Sequence, residues 1–136
     1  MQKKNVPLRL LHALTVCYVV FLTLLLWLPD PTVILYGYEP SEGPRSYAHL
    51  MTFSLLGFLV ELGRRKRSIV FWGAMLVGYT FLTEIVQEML PYPRTFEWQD
   101  VFQDIVGAFL GLGVGFLCRT AYAYYRKEPG TGTIER

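Results

Sequence analysis

The chain has 136 residues, of which 52% are hydrophobic, and its formal net charge is only +2. So high an apolar share argues against one small soluble domain, and no nucleic-acid-binding motif accompanies its single basic run, RRKR. Cys17 and Cys118 fall in apolar stretches, which disfavours a disulfide or a metal site, and nothing in the sequence indicates a cofactor.

Four apolar stretches predict membrane-spanning helices at about residues 8–28, 46–62, 68–90 and 101–118. A helix needs roughly 20 apolar residues to cross a bilayer. The first stretch is too long for the apolar core of a signal peptide, and Pro29-Asp30-Pro31 is unlike a cleavage site. We therefore predict an all-α polytopic membrane protein, a four-helix bundle forming one domain over residues 1–136 with a flexible tail at 129–136.

Charge is distributed unevenly between the predicted loops. Eleven of the 13 basic residues precede the first stretch, separate the second from the third, or follow the fourth. The other two connections hold only Arg45 and Arg94, together with five acidic residues. Because Lys and Arg beside membrane helices are retained in the cytoplasm, both termini are predicted to be cytoplasmic.

Polar side chains gather at the predicted outer ends of the helices. On the third helix they are spaced i, i+3, which places them on one face, and on the fourth they are spaced i, i+4. The candidate site consists of His49, Glu84, Gln87, Arg94, Asp100 and Asp104. Charged side chains at the centre of a membrane helix cost about 2.5–3.5 kcal/mol each on insertion scales, so they usually face the bundle or line a cavity.

Each candidate residue also has a purely structural interpretation. Glu84, the deepest of the acids, could be a protonated or hydrogen-bonded carboxyl that serves assembly alone. Arg94 could pair with a carboxylate or hold an anionic headgroup, or its side chain could simply reach water. His49 could be an acid/base group or a neutral, hydrogen-bonded imidazole. The sequence leaves these alternatives open.

Small residues recur every four positions on the last helix, at Gly107, Gly111 and Gly115. Such spacing permits close helix contact in lipid. This stripe is predicted to pack against another helix, either within the chain or in a homo-oligomer.

The order of these residues, over roughly half the chain, resembles the VanZ-like family of small bacterial membrane proteins. The matching positions are His49, the Glu84-x-x-Gln87 pair, Pro93-Arg94, Asp100, and Gly107 with Gly111. Ser46 stands where family members usually carry lysine, and Asp104 where they usually carry asparagine. The resemblance implies a location in the bacterial inner membrane and a role in the cell envelope, since the founding member is linked to low-level teicoplanin resistance.

Three functions are compatible with this pattern. The first is binding of a lipid-linked envelope precursor or an anionic headgroup among membrane lipids, with Arg94 supplying positive charge. The second is an intramembrane enzyme that uses Glu84 or His49 as the acid/base group. The third is a small proton-coupled transporter. The sequence does not decide whether the protein is an enzyme, and a structural protein without a ligand is the remaining alternative.

Overall fold

The computed structural model describes residues 6–27, 42–65, 68–89 and 96–127. They form four α-helices: α1 (Val6–Trp27), α2 (Glu42–Gly63), α3 (Ile69–Met89) and α4 (Trp98–Lys127). Within these ranges there is no strand. The all-α prediction is therefore confirmed.

The helix ends differ from the predicted spans. Helix α2 begins at Glu42 rather than near residue 46, because Pro44 falls in its first turn, where a missing N–H costs no helical hydrogen bond. Helix α4 continues past residue 118 to Lys127, because neither Gly nor Pro interrupts the sequence there. The predicted ends at residues 28 and 90 and the tail at 129–136 lie outside the described residues.

Three of the helices are long and apolar enough to cross a membrane: Leu8–Leu26, Ile69–Met89 and Trp98–Tyr125, with mean hydropathies of 2.0, 1.7 and 1.8. The apolar part of α2 is shorter, Tyr47–Gly63. Much of α2 is buried by the other helices, Phe53 and Leu56 among its enclosed residues, so that face of the helix does not have to be lipid-compatible. The chain is a membrane protein whose α2 is largely enclosed by its neighbours.

Consecutive helices run in opposite directions. At one end of the bundle Leu26 of α1 is hydrogen-bonded to Gln87 of α3, and at the other end His12 of α1 lies beside Gly63 of α2. Thus α1 and α3 run one way, and α2 and α4 run the other. This order brings residues near 49, 84 and 104 to one end of the bundle and residues near 61 and 119 to the opposite end.

The distribution of polarity is that of a protein whose solvent is hydrocarbon. Large apolar side chains such as Val16, Leu110 and Leu117 are more than half exposed, whereas eight polar or charged side chains among the described residues are buried. An apolar core that includes Phe53 lies between the helices. Apolar surface costs nothing when it faces lipid tails, so the inward face is available for small and polar residues.

Helices α2 and α4 are in backbone contact through glycine. A Cβ added at Gly107 would overlap the carbonyl oxygen of Leu50, and one added at Gly111 would overlap that of Ser54. Gly57 makes the reciprocal approach from α2. The glycine stripe of α4 thus packs within the chain, against α2, and fixes the register between these two parallel helices.

Candidate functional site

Four of the predicted site residues meet at one end of the bundle. His49 comes from α2, Glu84 from α3, and Asp100 and Asp104 from α4; we call them the histidine cluster. Their exposed fractions are between 1% and 7%. Three separate helices therefore place ionisable side chains into one enclosed position.

The imidazole lies between two carboxylates. His49 Nδ1 is 3.0 Å from Asp104 Oδ1, a hydrogen bond, and His49 Nε2 is 3.7 Å from Asp100 Oδ2. Asp100 and Asp104 are one turn apart on α4, so both reach the same ring. With Nδ1 directed to Asp104, the ring orientation is fixed and Nε2 is directed toward Asp100.

Glu84 joins the cluster from the third helix. Its Oε2 accepts a hydrogen bond of 3.4 Å from the backbone N–H of Glu97, the residue immediately before α4. A helix N-terminus carries partial positive charge, which favours a carboxylate at this position. The carboxyl also interacts electrostatically with Asp100, His49 and Asp104.

Gln87, a fifth predicted residue, makes a different contact. Gln87 is buried and its Nε2 donates a 3.2 Å hydrogen bond to the carbonyl of Leu26 in the last turn of α1, where carbonyls have no helical donor. Its amide therefore completes a helix end instead of joining the imidazole. Arg94 lies outside the described residues.

The histidine cluster as described holds three carboxyls and one imidazole. Carboxylates accept hydrogen bonds, and an oriented imidazole can donate or accept a proton at Nε2. Within the described ranges, no group of three or more His, Cys, Asp or Glu side chains is arranged to hold a metal ion. The cluster is suited to a ligand group that donates hydrogen bonds, or to proton exchange with one.

The His49–Asp104 contact predicts a specific pattern of stability. Asp104→Leu should lower the free energy of unfolding by about 1–3 kcal/mol, because it removes the hydrogen-bond partner of the buried His49 Nδ1. Asp104→Asn keeps an acceptor and should cost less. In the His49→Gln background the Leu substitution should lose at least ~1 kcal/mol of its effect. Detergent-denaturation curves of the four variants measure this, and strictly additive effects would contradict the contact.

A second ionic cluster, at the opposite end, was missed in the sequence analysis. Glu61 is fully buried, and its carboxylate accepts hydrogen bonds from Nε and Nη2 of Arg64, at 2.7 and 2.8 Å. Arg119 donates from Nη1 to Glu61 Oε1 at 3.2 Å and to the carbonyls of Glu61 and Arg64, each at 2.9 Å. We call these three residues the arginine cluster. Arg64 carries a raised pKa because it donates to Glu61.

The sequence contained two signals for this arrangement. Glu61 and Arg64 are spaced i, i+3, and Arg119 follows Gly115 by four residues on the glycine stripe. A Cβ at Gly115 would come within 2.9 Å of Glu61 Cβ, so this glycine provides the space for the buried glutamate. The proximity of the RRKR run made Glu61 resemble an ordinary residue at the wet edge of the membrane.

An apolar layer separates the two clusters. It includes Phe53 and Leu56 of α2 and Ala108 and Leu112 of α4, all at 1% exposure or less. The histidine cluster is therefore confined to one end of the bundle, and these four residues line no polar route between the ends.

Comparison with protein-family models supports the grouping of these residues. A model described as VanZ/LLP1 matches residues 14–119, a range that contains the histidine cluster, the glycine stripe and both arginines of the second cluster. Comparison with curated proteins and with solved structures found no match to this chain.

Proposed function

This chain belongs to the VanZ/LLP1 family, and from that premise we propose that it binds the polar part of a lipid or lipid-linked precursor of the cell envelope at the histidine cluster. In this proposal the cluster faces the outer leaflet of the bacterial cell membrane and both termini are cytoplasmic. The observation that carries the proposal is the convergence of His49, Glu84, Asp100 and Asp104 from three helices.

Burying ionisable side chains costs free energy, which disfavours a purely structural role for these residues. Glu84, Asp100 and Asp104 are each at most 6% exposed, and the imidazole of His49, at 7%, lies with them. Ionisable groups inside membrane helices persist when they pair or serve a binding or transport site. The convergence of three carboxyls and an imidazole from three helices at one enclosed position supports a ligand-binding role.

The chemistry of the cluster defines the ligand in two parts. Amine or hydroxyl groups would donate hydrogen bonds to the carboxyls, since like charges exclude a phosphate from that position. The anionic part of the ligand would bind Arg94, four residues before the start of α4, as the sequence analysis expects. A phospholipid headgroup or a lipid-linked sugar phosphate offers both kinds of group.

The proposed orientation of the bundle in the membrane follows from the distribution of charge. The arginine cluster, with Arg64 and Arg65 of the RRKR run, is at the end of the bundle opposite to the histidine cluster. Basic residues that flank membrane helices are retained on the cytoplasmic side. The end that contains His49 is then the external one.

Lipid co-purification tests the proposal. The wild type, Glu84→Gln and Arg94→Ala are purified from the same membranes in mild detergent, and the lipids retained are measured by native mass spectrometry. Loss of one charge-assisted hydrogen bond, about 1.5–3 kcal/mol, should reduce retention of the bound class about tenfold or more. Glu88→Gln is the matched control, because Glu88 is exposed one turn further along α3. Equal lipid profiles in all four proteins would refute headgroup binding.

One observation favours an enzyme as the second candidate. Asp104 is hydrogen-bonded to Nδ1 of His49, which leaves the other ring nitrogen, Nε2, to exchange a proton with a substrate. A histidine oriented by a carboxylate in this way is typical of a general acid/base. Chemical alteration of the retained lipid by wild type, abolished in His49→Gln while the lipid still binds, would establish this alternative. Transport is less well supported, because Phe53 and Leu56 lie in the apolar layer that separates the clusters.

A further inference from the structure

An apolar groove runs along the bundle on the side of α1, α2 and α3. Its volume is about 360 Å³ and its walls are almost wholly hydrocarbon. It extends from His12, beside the end of α2, past Val16, Trp72 and Met75 to Tyr79. No described residue of α4 lines it, so the groove is separate from both ionic clusters and opens to the lipid.

One polar atom in the wall of this groove lacks a partner. The indole Nε1 of Trp72 is buried and donates no hydrogen bond to any group in the described part of the chain. Buried N–H groups are nearly always satisfied, by protein, water or a ligand. Trp72 is one turn from Ser68, close to the start of α3, which is the depth at which tryptophan meets the polar edge of a bilayer.

Positive charge surrounds the same end of the groove. Arg9 of α1 is exposed three residues before His12, and Arg65 is exposed two residues after Gly63. The chain that connects the α2 wall to the α3 wall is the run RRKR at residues 64–67. Glu61 neutralises one charge of this region through Arg64 and Arg119, and a positive excess is left.

We propose that this groove binds one acidic phospholipid. An acyl chain lies along Val16 and Met75, an ester carbonyl accepts the hydrogen bond of Trp72 Nε1, and the phosphate binds Arg9 and Arg65. Each basic residue near an anionic headgroup contributes about 1 kcal/mol, a factor of roughly five in affinity. A second copy of the chain is disfavoured as occupant, because a parallel dimer would bring the two sets of basic residues together.

Quenching of Trp72 fluorescence tests the proposal. A Trp27→Phe/Trp98→Phe protein, with Trp72 as the sole tryptophan, is placed in phosphatidylcholine vesicles with brominated phosphatidylglycerol or brominated phosphatidylcholine at equal mole fraction. The acidic lipid should quench at least about fivefold more effectively. A Trp27→Phe/Trp72→Phe protein, which reports from Trp98 on exposed α4 surface, should show no preference. Equal quenching of Trp72 by both lipids would overturn the proposal.

Two pairs of variants complete the test. Val16→Phe fills the groove and should abolish the excess quenching, whereas Val114→Phe, on an exposed face of α4, should not. Arg65→Gln should lower the preference about fivefold, whereas Arg136→Gln in the tail should leave it unchanged. Glu84→Gln should have no effect here, which separates this site from the histidine cluster. Cross-linking that places a second copy in the groove at all lipid contents would also overturn the proposal.

Discussion

Replacing Gly111 by alanine should strongly destabilise the bundle. The new Cβ would overlap the carbonyl oxygen of Ser54 and lie 2.7 Å from the backbone N of Phe58. Backbone atoms of a helix cannot move aside as a flexible side chain can, so α2 and α4 must separate. Overpacking typically costs about 1–3 kcal/mol, and a clash between two helix backbones should lie at or above the upper end of that range.

The chain provides a close control for this substitution. Gly113 is two residues away on the same helix, and a Cβ added there meets nothing within 4 Å. Gly113→Ala should therefore be neutral or stabilise α4 by up to ~1 kcal/mol through helix propensity. Unfolding of both variants is followed by circular dichroism during titration with SDS in mixed micelles. Equal midpoints for the two variants would show that the glycine contact does not hold α2 to α4.

Removing both arginines of the arginine cluster should be the most damaging change among the ionic residues. Glu61 is fully buried, and Arg64 and Arg119 donate to both of its carboxylate oxygens. In the Arg64→Gln/Arg119→Gln protein the carboxylate would lose both charged partners. An uncompensated buried charge costs about 3–5 kcal/mol. The same titration with SDS measures the loss.

A third substitution distinguishes lost charge from lost packing. Adding Glu61→Gln to the double variant removes the uncompensated charge and keeps the side-chain volume. This triple variant should recover much of the stability that the double variant lost, since a buried ion pair replaced as a whole is often nearly neutral. No recovery would mean that the hydrogen bonds from Arg119 to the carbonyls of Glu61 and Arg64 are the dominant contribution.

Helical periodicity predicted which residues share a face, but it could not predict the partners across helices. The spacing of Asp100 and Asp104, and that of the glycines on α4, correctly placed each set on one side of a helix. It left undetermined whether His49 would pair with Asp104. That pairing depends on the register between α2 and α4, which the backbone contact at Gly111 fixes.

Glu61 and Gln87 illustrate a second limit. Gln87 was predicted to join the site from its spacing with Glu84, and no partner was predicted for Glu61, because the contacts of both depend on what packs beside them. Glu61 is enclosed because Gly115 gives it room and Arg119 reaches it from α4. Gln87 shares a helix face with Glu84, but its amide donates a hydrogen bond to the carbonyl of Leu26 at the end of α1. The periodicity of one helix does not predict which residues of a distant helix will contact it.

The fixed register of α2 and α4 sets the separation of the two ionic clusters along the membrane normal. Glu61 is twelve positions after His49 on α2, and at a rise of 1.5 Å per residue the two are about 18 Å apart along the helix. The hydrocarbon part of a typical bilayer is about 30 Å thick. Both clusters therefore cannot lie at the two headgroup planes of an undistorted bilayer. At least one cluster therefore lies at the depth of the acyl chains, where the surrounding helices shield its ionisable side chains from the lipid.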